Sequence, residues 1–247
     1  MTLTEKDLSE RERVKLGPGT GVSLKPKDAA TLILIDRSGS KPRVLMGKRH
    51  HSHKFMPGKY VFPGGRLDAA DRAIKPLDEL CQDCTRRLGQ HVVKWTEGRG
   101  RALALASIRE TAEETGLLIG KSDTNGVSSK SQAWSPFVSR SIRPCLSSLT
   151  FVARAITPPK RPKRFDTRFF LADRTSIGAE ISGIVSADTE LVSLDWLTFD
   201  DAQGVELPNI TKVVLKDIAE RLKTGQIARP APFYFYRSGG FQRKLLD

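Results

Sequence analysis

The chain has 247 residues, 38% hydrophobic and 28% charged, which is enough apolar content for one substantial core and argues against general disorder. No run of about 18 apolar residues is present to span a bilayer, and the acidic start (Glu5, Asp7, Glu10, Glu12) lacks a targeting pattern, so no membrane partner and a cytoplasmic location are expected. The formal charge of +13 favours anionic partners, and three cysteines, an odd and small number, argue against a disulfide framework.

Residues 1–27 carry Gly17-Pro18-Gly19 and little apolar periodicity and read as a flexible arm. The domain is expected from Asp28 to Arg237, with 238–247 as a tail. Ala30–Ile35 and Arg43–Met46 read as adjacent strands joined through a Gly/Ser/Pro turn, and Tyr60–Phe62 as another short strand. The basic residues Lys48, Arg49, Lys54 and Lys59 lead into the turn Phe62-Pro63-Gly64-Gly65, whose paired glycines suit a backbone that side chains would obstruct. His50, His51 and His53 crowd the same stretch and suit solvent or phosphate contacts better than a transition metal.

Leu77, Leu80, Cys81, Cys84 and Leu88 repeat at helical spacing and stop at Gly89, so both cysteines are expected as small apolar groups on a buried helix face. Zinc would require a second ligand pair that the chain does not offer nearby. From Ala102 to Thr115 the Ala- and Leu-rich sequence predicts a helix stopped by Gly116. Its i, i+3 and i+4 neighbours place Glu110, Glu113 and Glu114 on one side and Leu105, Ile108 and Ala112 on the other, with Arg109 in reach of Glu113. Three crowded acids are either a solvated face or the oxygen donors of a shared cation, and hard Mg2+ or Mn2+ suits such donors.

Residues 121–135 are Ser-rich and read as a loop, while Leu146–Ile156, Thr167–Ala172 and Glu190–Trp196 read as strands. Lys160, Arg161, Lys163, Arg164 and Arg168 add a second basic cluster suited to a phosphate-rich small molecule. Asn209–Thr224 forms an apolar helical face of Ile210, Val213, Val214, Ile218 and Leu222 that ends at Gly225 and should cover the sheet. The expected architecture is one α/β/α sandwich with a mixed sheet and an inserted helical segment at about 72–101.

Gly65, Arg109, Glu110, Glu113, Glu114, Gly116 and Leu117 together resemble the Nudix box. In that superfamily the pattern is a Gly, five residues, Glu, seven residues, then Arg-Glu-hydrophobic-x-Glu-Glu-x-Gly-hydrophobic. Here Asp71 stands where the family has its first Glu, residues 72–108 replace the short spacer, and Thr111 takes a hydrophobic slot. The resemblance implies a metal-dependent hydrolase of diphosphate linkages in nucleotide derivatives. It implies Glu110, Glu113 and Glu114 as metal ligands, with Asp71 a weaker candidate, and Arg109 and Gly65 as organisers of the catalytic acids. Glu180 and Glu190 are the candidate general bases.

Leu45, Arg49, Gly58 and Phe62–Gly65 are also similar to the coenzyme A diphosphatase signature, and the insertion to its peroxisomal branch and bacterial relatives, although the chain does not end in Ser-Lys-Leu. That likeness implies substrate contacts from Arg49, Lys54, Gly64, Gly65 and Arg66, and coenzyme A or its acyl derivatives as substrate. ADP-ribose, NADH, dinucleotides and capped RNA are the enzymatic alternatives, and a non-catalytic nucleotide- or nucleic-acid-binding regulator is the alternative of another class. An anionic nucleotide derivative is favoured over nucleic acid as partner, and a homodimer is compatible with the resemblance.

Overall fold

The computed structural model describes residues 24–51 and 57–247, so the arm, except for its last residues, and the expected substrate contact Lys54 lie outside the described residues, as does His53. In chain order the strands are β1 (Lys27–Asp36), β2 (Arg43–Arg49), β3 (Tyr60–Val61), β4 (Gly64–Arg66), β5 (Leu117–Ile119), β6 (Lys121–Ser122), β7 (Ile142–Arg143), β8 (Thr150–Ile156), β9 (Phe165–Asp173), β10 (Ile177–Glu180), β11 (Leu191–Thr198), β12 (Ala231–Arg237) and β13 (Gly240–Leu246). The helices are α1 (Gln82–Gly89), α2 (Glu97–Thr115), α3 (Ser135–Ser139), α4 (Phe199–Gly204) and α5 (Asn209–Thr224). Among the described residues no helix is long and apolar enough to cross a membrane.

β1 organises the molecule because it is apolar on both sides. Leu32 and Leu34 join one buried cluster and Ile33 and Ile35 the other, as the two-residue period of a strand requires. Such a strand belongs in the middle of a sheet covered on both faces. It pairs antiparallel with β2 and parallel with β9, and the nine-stranded sheet runs β11-β2-β1-β9-β8-β12-β13, with β3 added on β2 and β4 on β1. Leu103, Leu105, Ile108 and Ala112 of α2 pack against Leu32, Leu34, Phe151 and Phe170 on one face. Val214, Leu215 and Ile218 of α5 pack against Ile33, Val44, Met46 and Val152 on the other, completing the three layers. Each fully buried Leu or Ile contributes roughly 1.5–3 kcal/mol to holding these layers together.

Several boundaries differ from the sequence expectation, each for a local reason. α2 starts five residues before Ala102, at Glu97, because the Thr96 side chain accepts the Arg99 N–H and supplies an N-cap that the apolar pattern does not reveal. α1 starts at Gln82, not near Leu77. Segment 77–80 is tied to the 144–147 segment instead, with the Leu77 N–H donating to the Pro144 carbonyl and the Asp78 carboxylate accepting from Ser147. Leu77 is therefore exposed and Cys81, expected on a buried face, is an exposed N-cap, whereas Leu80, Cys84 and Leu88 are buried. The Ser-rich stretch forms β6 and a 3-10 turn at Gln132–Trp134 that buries Trp134 completely. Residues 238–247, expected as a tail, contribute β13, which pairs with β12 along its whole length.

One ion-pair cluster is structural. Asp28, Asp166, Arg99, Arg154 and Arg168 meet where β1, β8 and β9 face the start of α2. Arg99 and Arg154 each form two hydrogen bonds with one carboxylate, Asp28 and Asp166 respectively, at 2.7–2.8 Å. Arg168 is fully buried between the two aspartates, 3.1 Å from each. It is thus absorbed by the core instead of joining the basic cluster expected to meet an anionic partner.

Candidate active site

The glycine turn and the acid-bearing helix meet at the edge of β4. The antiparallel pairing of β4 with β1 sets Gly65 opposite Ala30 and Gly64 opposite Thr31. A side chain at Gly65 would overlap the carboxyl carbon and both oxygens of Glu110, and one at Gly64 would lie 2.6 Å from the Ala30 carbonyl oxygen. Gly65 leaves room for the Glu110 carboxylate of α2, and Gly64 lets β4 lie close against β1. The Gly64 N–H then donates to Glu114 at 3.1 Å.

Arg109 is the hub of the site. Its side chain is 6% exposed. It donates to both Asp71 oxygens at 2.8 and 3.1 Å, to Glu110 at 2.9 Å, to Glu113 at 2.8 Å and to the Arg66 carbonyl at 2.8 Å. Burial alone would lower its proton affinity, but the Asp71 hydrogen bond and the surrounding carboxylates raise it above that of an ordinary arginine. Asp71 is fully buried and also accepts from Trp134 Nε1 at 3.2 Å and from the Asp68 N–H at 2.9 Å. With four donors on its two oxygens, Asp71 has a positioning geometry and little capacity left for a metal. A buried Asp–Arg pair thereby closes the gap that residues 72–108 open in the motif.

Beside this hub lies a cavity of about 370 Å³. Glu110, Glu114 and Glu190 line it with Arg49, Arg66, Gly64, Gly65 and Lys163, and Thr31, Thr157, Thr167 and Thr211 add hydroxyls. A larger hollow of about 980 Å³ around Trp95, Glu79, Asp83 and Arg101 contains neither the paired glycines nor any of the α2 acids Glu110, Glu113 and Glu114. The smaller cavity is the candidate site because like charges converge there. Burial pushes the Glu114 carboxyl well above the usual range, and Glu190 and Glu110 push it further. Burial also raises Glu110, with Arg109 opposing. Arg49 pairs with Glu190 at 2.8 Å and keeps a buried Nε without a hydrogen-bond partner.

The donor set suits a hard divalent cation, since three carboxylates line one cavity and Glu114 lacks enough positive charge to ionise easily. Among the described residues no three carboxylate, imidazole or thiol groups converge tightly enough to hold an ion. Arg109 is the reason, as it draws Glu110 and Glu113 to itself. Glu113 is also the most exposed of the three acids, at 40%.

The candidate bases separate clearly. Glu190 precedes β11, where its carbonyl accepts the His50 N–H, and its side chain reaches the cavity. Glu180 is exposed at the end of β10, opposite Leu117, and does not line the cavity. The sequence carries no signal for Trp134, an isolated aromatic in a Ser-rich segment, or for the cavity threonines Thr31, Thr157 and Thr211, whereas Phe165 and Thr167 lie in the Phe165–Phe170 stretch that shares the coenzyme A diphosphatase likeness.

No protein-family model matches the chain. Among curated proteins it is 30% identical to putative nudix hydrolase 7 of Caenorhabditis elegans over 155 residues, 59% of this chain. The matched part is 43% of that relative, so the chain spans less than half of the relative's length. Among solved structures, a NUDIX hydrolase from Alicyclobacillus acidocaldarius is 28% identical and superposes with a TM-score of 0.57, covering 78% of this chain and 90% of that one. In fold and in sequence the chain is thus similar to these Nudix hydrolases.

Proposed function

We propose that this protein is a divalent-metal-dependent pyrophosphohydrolase that cleaves a diphosphate linkage in a nucleotide derivative, with coenzyme A or acyl-coenzyme A as favoured substrate. The observation that carries the reading is the convergence of Glu110, Glu114 and Glu190 on one cavity whose wall also carries Arg49, Arg66 and Lys163. Carboxylates without full compensation suit a cation, and the flanking basic groups suit the phosphate oxygens of a diphosphate.

Glu110 and Glu114 would hold the cation, Mg2+ or Mn2+, with Glu113 joining on release from Arg109, and the ion would neutralise the diphosphate and acidify a water. The chain's own residues do the rest. Arg49 and Lys163 orient phosphate oxygens, Gly64 and Gly65 admit the diphosphate close to the backbone, and Arg109 with Asp71 fixes the carboxylate helix. Glu190 is the better placed base, able to accept a proton at its carboxylate inside the cavity, while Glu180 would need a large displacement to take that part. The coenzyme A assignment draws on the Leu45, Arg49, Gly58 and Phe62–Gly65 register.

The test is incubation with Mg2+ or Mn2+ and a panel of coenzyme A, acetyl-coenzyme A, ADP-ribose, NADH and a dinucleoside polyphosphate, with products resolved by mass. Release of phosphopantetheine from coenzyme A is expected. Cleavage of another compound with coenzyme A untouched removes the substrate assignment, and tight binding without turnover anywhere in the panel replaces the enzyme with a binding module.

A further inference from the structure

The insertion that interrupts the box carries a second constellation, remote from the cavity. Cys81 is the N-cap of α1 and Cys84 sits three residues on, in the first turn. N-cap and N3 side chains lie against each other at a helix start, the same proximity that a capping box uses. Here the Cys81 sulfur accepts the Cys84 N–H at 3.3 Å. Cys81 is exposed, whereas Cys84 is buried against β8 and accepts the Phe151 N–H at 3.5 Å. Burial, with the Cys81 sulfur adding to it, pushes the Cys84 thiol up to about 12. The third cysteine, Cys145, is buried and engaged with Asp78 at 2.9 Å.

We propose that Cys81 and Cys84 form a peroxide-sensitive dithiol site that closes to an intrachain disulfide, with Cys81 as the sulfur attacked from solvent and Cys84 as the resolving sulfur. The geometry argues for this division because only one of the two is reachable, and the two are held adjacent by the helix start rather than by chance contact. In the first step the Cys81 sulfur takes one oxygen from hydrogen peroxide, the O–O bond breaks, and the thiol proton leaves with the other oxygen as water. In the second, the Cys84 thiol displaces that hydroxyl as a second water and the S–S bond forms. Peroxide is thereby reduced to two waters as the two thiols are oxidised to one disulfide. The closed loop spans four residues within one helical turn, so oxidation leaves the cavity residues in place.

The test is peroxide treatment of the native protein, then alkylation, trypsin digestion and mass analysis of peptide 73–86, which contains both sulfurs and no other cysteine. Loss of two hydrogens and protection of both sulfurs from alkylation, reversed by dithiothreitol, are expected, with no disulfide-linked dimer on non-reducing electrophoresis. The Cys81→Ser variant keeps a preferred N-cap and therefore its fold. It should lose the product, and Cys145→Ser should keep it. Over-oxidation of Cys81 with Cys84 still alkylatable, a disulfide to a second chain, or retention of the two-hydrogen loss in Cys81→Ser each overturns the proposal. None of these readouts depends on catalytic activity.

Discussion

Two clusters of charge sit near opposite ends of α2, and they are built in opposite ways. At the start of α2 three arginines face two aspartates, with Arg154, Arg168 and Asp166 buried and Asp28 and Arg99 partly so, and Asp28 is held below the usual carboxylate range although burial pushes it up, because Arg99 and Arg168 outweigh that push. Near the end of the same helix, Glu110 and Glu114 share a cavity with Glu190, and burial and mutual repulsion hold Glu114 well above the usual range. Compensated charge belongs to the fold, and uncompensated charge in a cavity marks where a ligand is wanted. Burial alone does not distinguish them, since Arg168 and Asp71 are equally inaccessible.

The contrast can be broken by mutation. Arg154→Ala removes both short hydrogen bonds from the Asp166 carboxylate, leaving it only Arg168 at 3.1 Å, and should lower stability by about 3 kcal/mol, read from urea unfolding, with turnover per folded molecule unchanged. A large loss of turnover by the folded fraction would mean that the cluster is not merely structural. Glu114→Gln should do the reverse, keeping the fold while activity falls by roughly a hundred-fold or more, or at least ~2.7 kcal/mol of barrier, and the midpoint of Mn2+ activation rises. Retained activity with a normal metal requirement would remove Glu114 from the site.

Gly65→Ala sharpens the contrast further, because the atoms nearest its methyl group are those of the Glu110 carboxylate. A displacement of that acid by about 1 Å corresponds to a loss of up to ~100-fold in kcat with little change in denaturation. Trp134→Phe removes the Nε1–H donor to Asp71 but keeps most of the volume. It should reduce activity about ten-fold with a weaker metal response, whereas a purely packing role would change the melting temperature and leave metal titration alone.

The smallest effect concerns acid. A carboxyl whose folded value is depressed contributes stability above its unfolded value and loses it as pH falls through the folded value. Asp28 is such a group, so Asp28→Asn should flatten the decline in urea midpoint below about pH 4. An unchanged slope there would show that another carboxylate carries the acid sensitivity.

Much of the site was legible because its parts are locally encoded. Two glycines before an Ala/Leu helix with three acids on one side specify a turn, a helix and a donor set without knowledge of the rest of the chain. The sheet strands followed from apolar alternation, and α5 from its periodicity and Gly225. What was hidden depends on partners far along the chain. The start of α1 is set by segment 144–147, which holds 77–80 out of a helix, and the identity of Arg168 as a core group is set by Asp28 and Asp166. Glu190 and Glu180 were equivalent in sequence and are separated by where β11 starts and β10 ends.

The pairing of Asp71 with Arg109 carries a consequence for chain architecture. Both ends of the intervening stretch are pinned by that pair and by α2, so closing a longer or shorter connection there changes free energy only logarithmically with length. The part of that stretch ahead of α2 can therefore vary in length at little entropic cost, provided that a replacement covers the core now buried by Leu80, Cys84 and Leu88. Searches for comparable sites gain by looking for a buried guanidinium and its carboxylate at any separation along the chain, with the glycine turn on one side and the acidic helix on the other, instead of for a fixed spacing.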